Sequence, residues 1–136
     1  GANCLLEVNV DGAKDESEAL KIARSITNSA LVKTAIHGCD PNWGRIISAA
    51  GNAGVKFDVA KFDLFIGDFQ IMRKGLPCDF NRDEVVLYMR SKMNANYLID
   101  DLLSININLN SGDGKSQSWG CDLSKKYIEI NSEYTT

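Results

Sequence analysis

The sequence predicts an α/β domain in which a mixed, largely antiparallel sheet is packed with helices, and three observations carry that expectation. Apolar and polar residues alternate over residues 3–10 and again over 103–109, the period of a strand with one buried face. Between them Ala19, Ile22, Ala23 and Ile26 recur at i, i+3, i+4 and i+7, the stripe of an amphipathic helix. Phe62, Leu64 and Ile66 alternate, Gly67-Asp68 turns, and Phe69 and Ile71 alternate again, which reads as a hairpin and therefore as antiparallel pairing.

The first strand sets Cys4, Leu6, Val8 and Val10 on one side and Leu5, Glu7 and Asn9 on the other, and Asp11-Gly12 closes it. A helix follows from about residue 16, with Asp15 as N-cap and Glu18 three residues on, the arrangement of a capping box. Leu31, Val32, Ala35 and Ile36 suit a further helix, Ser29 its cap and Gly38 its end; the β-branched content pulls towards strand, and helix is the expectation. Asp40-Pro41 then reads as an N-cap followed by proline at the first helical position, where the missing N–H costs nothing. Ile46, Ile47, Ala49 and Ala50 continue that helix, and Gly51 is expected to end it in a left-handed conformation. Gly44 beside Trp43 suggests the close approach of another backbone. The blander alternative is a packing corner, with Trp43 filling a hole and Arg45 paired at the surface.

After the hairpin, Pro77 breaks the regular structure. A helix starts near Asn81, paired with Glu84, and carries Val85, Val86, Tyr88 and Met89. Leu103, Ile105, Ile107 and Leu109 form the clearest strand; Gly112-Asp113-Gly114 turns it, and Gln117-Ser118-Trp119 is expected to return antiparallel. Leu123, Tyr127, Ile130 and Tyr134 read as a last helix, with Asp122 or Ser124 as its cap. No repeat or linker interrupts residues 1–136, so they are expected to form a single domain. Gly1-Ala2 runs directly into the first strand, and the chain is accordingly read as a piece of a longer protein.

The 136 residues are 44% hydrophobic and carry 15 Lys+Arg against 18 Asp+Glu, a net charge of −3 with both signs mixed along the length. That composition builds a packed core rather than a disordered chain, and it lacks the basic stripe that duplex nucleic acid requires. No apolar run approaches the ~18–20 residues that span a bilayer. Cys4, Cys39, Cys78 and Cys121 include no C-x-x-C pair and His37 is the single histidine, so neither a metal site nor a disulfide framework is expected. Reduced thiols in a cytosolic protein fit better.

Gly112-Asp113-Gly114-Lys115 lacks the spacing of a phosphate loop, and Gly51-Asn52-Ala53-Gly54 follows a helix rather than a strand. His37 falls on the apolar side of its segment and reads as a structural residue, and Asp100-Asp101 as a solvated pair. The residues by themselves complete no catalytic constellation.

Four strings say more, and Asp40–Arg45 and Trp119–Leu123 are the most specific of them. Leu31-Val32-Lys33-Thr34-Ala35-Ile36 followed by Asp40-Pro41-Asn42-Trp43-Gly44-Arg45, then Trp119-Gly120-Cys121-Asp122-Leu123 and Ile130-Asn131-Ser132-Glu133-Tyr134, resemble the C-terminal part of ornithine acetyltransferase, also called glutamate N-acetyltransferase, of the cyclic arginine-biosynthesis route. The resemblance covers essentially all 136 residues.

The resemblance implies a precursor that cuts itself before a threonine into α and β chains, which stay associated as a heterotetramer of two α and two β chains. That threonine takes acetyl from N2-acetylornithine, and the amine of glutamate then attacks the acetyl-enzyme. In some members acetyl-CoA is also an acetyl donor; no other cofactor and no metal are implied. The nucleophile and oxyanion hole lie upstream of this chain, so no residue here is implied to be catalytic, and the isolated chain is expected to be inactive. The family's substrate-binding glutamate falls immediately before Gly1.

What maps onto this chain is the family's substrate-binding asparagine and terminal threonine, at Asn131 and Thr136. An amide and a hydroxyl can hydrogen-bond the carboxylate and ammonium of an amino acid. The chain departs from the family at Thr135, where many members have arginine. The expected partners are thus the α chain, the rest of the β chain and the two small-molecule substrates, with no nucleic acid or membrane. The alternative is a non-enzymatic interaction domain of the same fold; a self-processing aminopeptidase shares the general fold idea but not these strings.

Overall fold

Residues 5–13 form a strand that both of the last two strands join, and this arrangement sets the architecture. The computed structural model describes residues 4–93 and 102–121. Strand β1 (Leu5–Ala13) leads into helices α1 (Glu16–Thr27), α2 (Ala30–His37) and α3 (Trp43–Gly51). A 3-10 turn (Val59–Lys61) precedes the hairpin of β2 (Asp63–Ile66) and β3 (Phe69–Arg73), and the short β4 (Leu76–Pro77) follows. Helix α4 (Arg82–Lys92) and strands β5 (Leu102–Asn108) and β6 (Gly114–Cys121) complete the described elements.

The strands form one sheet in the order β4-β3-β2-β5-β1-β6. Every pairing is antiparallel except β1 with β5, so the mixed, largely antiparallel α/β class is what forms. One expectation is corrected. β6 does run opposite to β5, but it pairs with β1 rather than with β5. Both edges of β5 are occupied, by β1 on one side and β2 on the other, so the returning strand takes the outer side of β1.

Alternation decides which face is buried. Leu6, Val8 and Val10 of β1, Leu103, Ile105 and Ile107 of β5, and Leu64 and Ile66 of β2 are at most 2% exposed. They share one core with Ala19, Ile22 and Ile26 of α1, Val32 and Ile36 of α2, Ile46 of α3, and Val85 and Met89 of α4. All four helices therefore bury their apolar sides in the core that one face of the sheet supplies.

The helix starts follow their caps. The side chains of Asp15, Ser29 and Asn81 accept the N–H groups of Glu18, Val32 and Glu84 at 2.8, 3.2 and 3.2 Å. For α3 the expected cap is corrected: Asn42, not Asp40, accepts the N–H of Arg45 at 3.0 Å, and the helix begins at Trp43 rather than at Pro41. Asp40 is engaged otherwise, accepting from Asn42 Nδ2 at 3.2 Å and pairing with Arg82 of α4 at 3.4 Å.

Nor does Gly51 end α3 in the left-handed region. It is the last helical residue, Asn52 caps the helix, and the positive φ falls at Gly54. The expected close approach at Gly44 is also absent, since a Cβ there meets only Asn42 Oδ1 at 3.4 Å. At Gly12 the need for glycine is real: φ is +71°, and a Cβ would lie 2.6 Å from the backbone nitrogen of Asn110. The helix expected over 123–134 and the pair Asp100-Asp101 lie outside the described residues.

Candidate functional site

The other face of the sheet carries a ladder of polar side chains across its centre. Strand register places Leu5 beside Leu102 and Cys121, then Glu7 beside Ser104 and Trp119, then Asn9 beside Asn106 and Gln117. These are the positions that alternate with the buried ones, so they project away from the helices. The face thus grades from an apolar row at one end to a polar middle.

The middle is held by its own hydrogen bonds. Trp119 Nε1–H donates to Glu7 Oε2 at 2.9 Å, and Asn9 Nδ2–H donates to Glu7 Oε1 at 2.8 Å. The Asn9 amide also donates to Asn106 Oδ1 at 2.9 Å, and Asn106 Nδ2–H reaches the carbonyl of Gly67 at 3.3 Å. The ladder joins β6, β1 and β5 to the β2–β3 turn. Each Glu7 oxygen keeps a lone pair beyond the bond it already accepts, so the face offers fixed acceptors to an incoming N–H donor. Its aromatic element, Trp119, is 51% exposed.

At the far end of this face lies an open groove of about 540 Å³, lined by Asn9, Asp11, Glu16, Asn106, Lys115 and Gln117 among others. It carries two carboxylates and one ammonium. Among the described residues no group of three or more His, Cys, Asp or Glu side chains is placed to hold a metal ion, and no helix is long and apolar enough to cross a membrane.

The near end is where the chain enters and leaves. Leu5 is the register partner of both Leu102 and Cys121, so the residues before β1, before β5 and after β6 all connect at one end of the sheet. Asn131 and Thr136, the substrate-binding positions implied by the resemblance, lie outside the described residues. Their attachment point, Cys121, is in the apolar row beside Leu5.

The Asp40–Arg45 string forms the α2–α3 corner. Trp43 is 37% exposed and so does not fill a hole, while Arg45 Nη1 donates to the Leu31 carbonyl at 3.2 Å. Leu31 itself is 63% exposed. His37 is half-buried in the last turn of α2.

Sequence reasoning singled out none of Glu7, Asn9 and Asn106 as functional. The available signal was their shared parity with the solvent side of two strands. That signal becomes a site only once β1 and β5 are known to be neighbours.

Comparison with known proteins covers the whole chain. It matches the ArgJ family over residues 1–136. It is 63% identical over all its length to the arginine biosynthesis bifunctional protein ArgJ of Prochlorococcus marinus subsp. pastoris, and 51% identical to that of Prochlorococcus marinus strain NATL2A. A similar chain from Sorghum bicolor, 46% identical, is named chloroplastic. Among solved structures, the arginine biosynthesis bifunctional protein of Bacillus halodurans superposes with a TM-score of 0.88 at 39% identity, covering 98% of this chain and 59% of that one. The chain spans about a third of the length of the curated relatives it matches.

Proposed function

The chain belongs to the ArgJ family, and from that premise we propose that it is the C-terminal, substrate-binding part of an acyltransferase in arginine biosynthesis. In this reading acetyl moves from N2-acetylornithine to a threonine hydroxyl upstream of Gly1. The amide C–N bond breaks, ornithine leaves, and the amine of glutamate then takes the acetyl group from the threonine ester. Asn131 and Thr136 orient the amino-acid portion that donor and acceptor share. The same reading includes self-cleavage into α and β chains, their assembly two and two, and a cytosolic location. Acetyl-CoA enters this reading as a second acetyl donor only as the resemblance implies it for some members of the family.

The observation that carries the reading is the pairing of Leu5 with Cys121. It brings the start of β1 beside the end of β6, after which Asn131 and Thr136 follow in the sequence, and this supports a site built from both ends of the chain. Residues so far apart in sequence can then share one substrate.

The test uses the full self-processing enzyme. Losing one hydrogen bond to a charged group costs about 1.5–3 kcal/mol, roughly ten- to a hundredfold. Asn131→Ala, and separately deletion of Thr136, should lower kcat/KM by that factor for N2-acetylornithine and for glutamate alike, while self-cleavage continues. Wild-type transfer by both variants overturns the assignment of these residues.

A further inference from the structure

We propose that the polar face of the sheet is the docking surface for the polypeptide that precedes Gly1 in the full protein. This rests on the chain being part of a longer enzyme. It adds which surface the remainder covers and what chemistry it brings.

Three observations point there. The helices bury their apolar sides in the core on one face only, and among the described residues nothing covers Leu102 and Trp119 on the other, which are 36% and 51% exposed. The curated relatives are about three times as long as this chain, so in the full protein a body about twice its size is available to cover the face. Finally, Leu5, the first residue of β1, lies in the apolar row of this same face, so the upstream polypeptide is joined to the chain at that end of the sheet.

The surface is built for a protein partner. Glu7, Asn9, Asn106 and Trp119 hold one another in place, so little side-chain freedom is lost when the face is covered. Tryptophan is among the residues that most often anchor an interface. The occupant fitted to this face sets an apolar side chain over Leu5, Leu102 and Trp119, and an N–H donor, cationic or backbone, over the Glu7 carboxylate. A second copy fits less well: the groove carries the carboxylates of Asp11 and Glu16 with the one ammonium of Lys115, and Glu7 adds a further carboxylate nearby on the face, so this part of two copies is not complementary in charge.

The experiment uses the full-length protein. A benzophenone amino acid replaces Gln117 on the polar face, and an amine-reactive cross-linker probes Lys115 in the unaltered protein; cross-linked peptides are read by mass spectrometry. Hydroxyl-radical footprinting of the unaltered protein compares Trp119 with Trp43.

The expected result is cross-links from position 117 or from Lys115 to residues upstream of Gly1, with Trp119 oxidised several-fold more slowly than Trp43. Cross-links only between two copies, or only to residues 94–101 or 122–136, overturn the proposal, as does the absence of any cross-link to the upstream part. Oxidation of Trp119 as fast as Trp43 also overturns it. None of these readouts involves acetyl transfer, so failure here is distinct from failure of the Asn131 and Thr136 assignment.

Discussion

Trp119 and Glu7 face each other across β6 and β1, and the indole N–H closes on the carboxylate at 2.9 Å. The bond joins an edge strand to its single neighbour in the sheet. Because it is solvent-exposed, Trp119→Phe should cost only about 0.5–1 kcal/mol in urea unfolding. A double-mutant cycle with Glu7→Ala should give a coupling of about 0.5 kcal/mol; zero coupling would mean that the pair adds nothing to stability.

The two candidate caps of α3 separate by mutation. Asn42→Ala removes the acceptor for the Arg45 N–H and should destabilise by about 1 kcal/mol. Asp40→Ala loses an exposed ion pair at 3.4 Å and should cost less than about 0.5 kcal/mol. The reverse order, measured by the same unfolding curves, would restore Asp40 as the cap.

Gly12 and Gly51 should respond oppositely to alanine. At Gly12 the positive φ and the nearby Asn110 backbone make Gly12→Ala cost upwards of about 1 kcal/mol. At Gly51, the last residue of α3, nothing lies within 4 Å of an added Cβ, and Gly51→Ala should be neutral or stabilising by up to about 1 kcal/mol. Melting temperatures of the two variants test this directly.

Thiol labelling should follow burial. Cys4 and Cys39 are buried, whereas Cys78 and Cys121 are partly exposed. A maleimide added to the folded chain should modify Cys78 and Cys121 first, with Cys4 and Cys39 following only on denaturation. Early modification of Cys4 would show that the end of the core beside β1 opens readily.

The isolated chain should transfer no acetyl from N2-acetylornithine to glutamate, because the proposed nucleophile lies upstream. Turnover by purified chain, abolished by a mutation within residues 1–136, would move the active site into this part of the protein.

What the sequence made legible was local. Asp15, Ser29 and Asn81 announce their helices because a cap and the N–H it satisfies lie three residues apart. Leu6, Val8 and Val10 announce their buried face because strand parity is read without knowing the partner. Asn42 was missed in favour of Asp40 because both are cap residues and Pro41 suits the first helical position after Asp40. The position of β6 was missed because its pairing depends on which edges β2 and β1 have already occupied. For the same reason Glu7, Asn9 and Asn106 could not be seen as one ladder. Asn131 and Thr136 came from resemblance to a family, and they lie outside the described residues.

The central position of β1 also governs the order in which the molecule can be made. Among the described strands β1 is synthesised before the others, yet its partners in the sheet, β5 and β6, come last of them. Until Leu102–Cys121 have emerged from the ribosome, Leu6, Val8 and Val10 sit on a strand with both edges unpaired, a template for mispairing with other chains. The hairpin of β2 and β3 can close early, because its pairing is local. Assembly of the sheet's centre therefore waits for β5 and β6, and a nascent chain stalled before residue 102 is the species a chaperone is expected to hold.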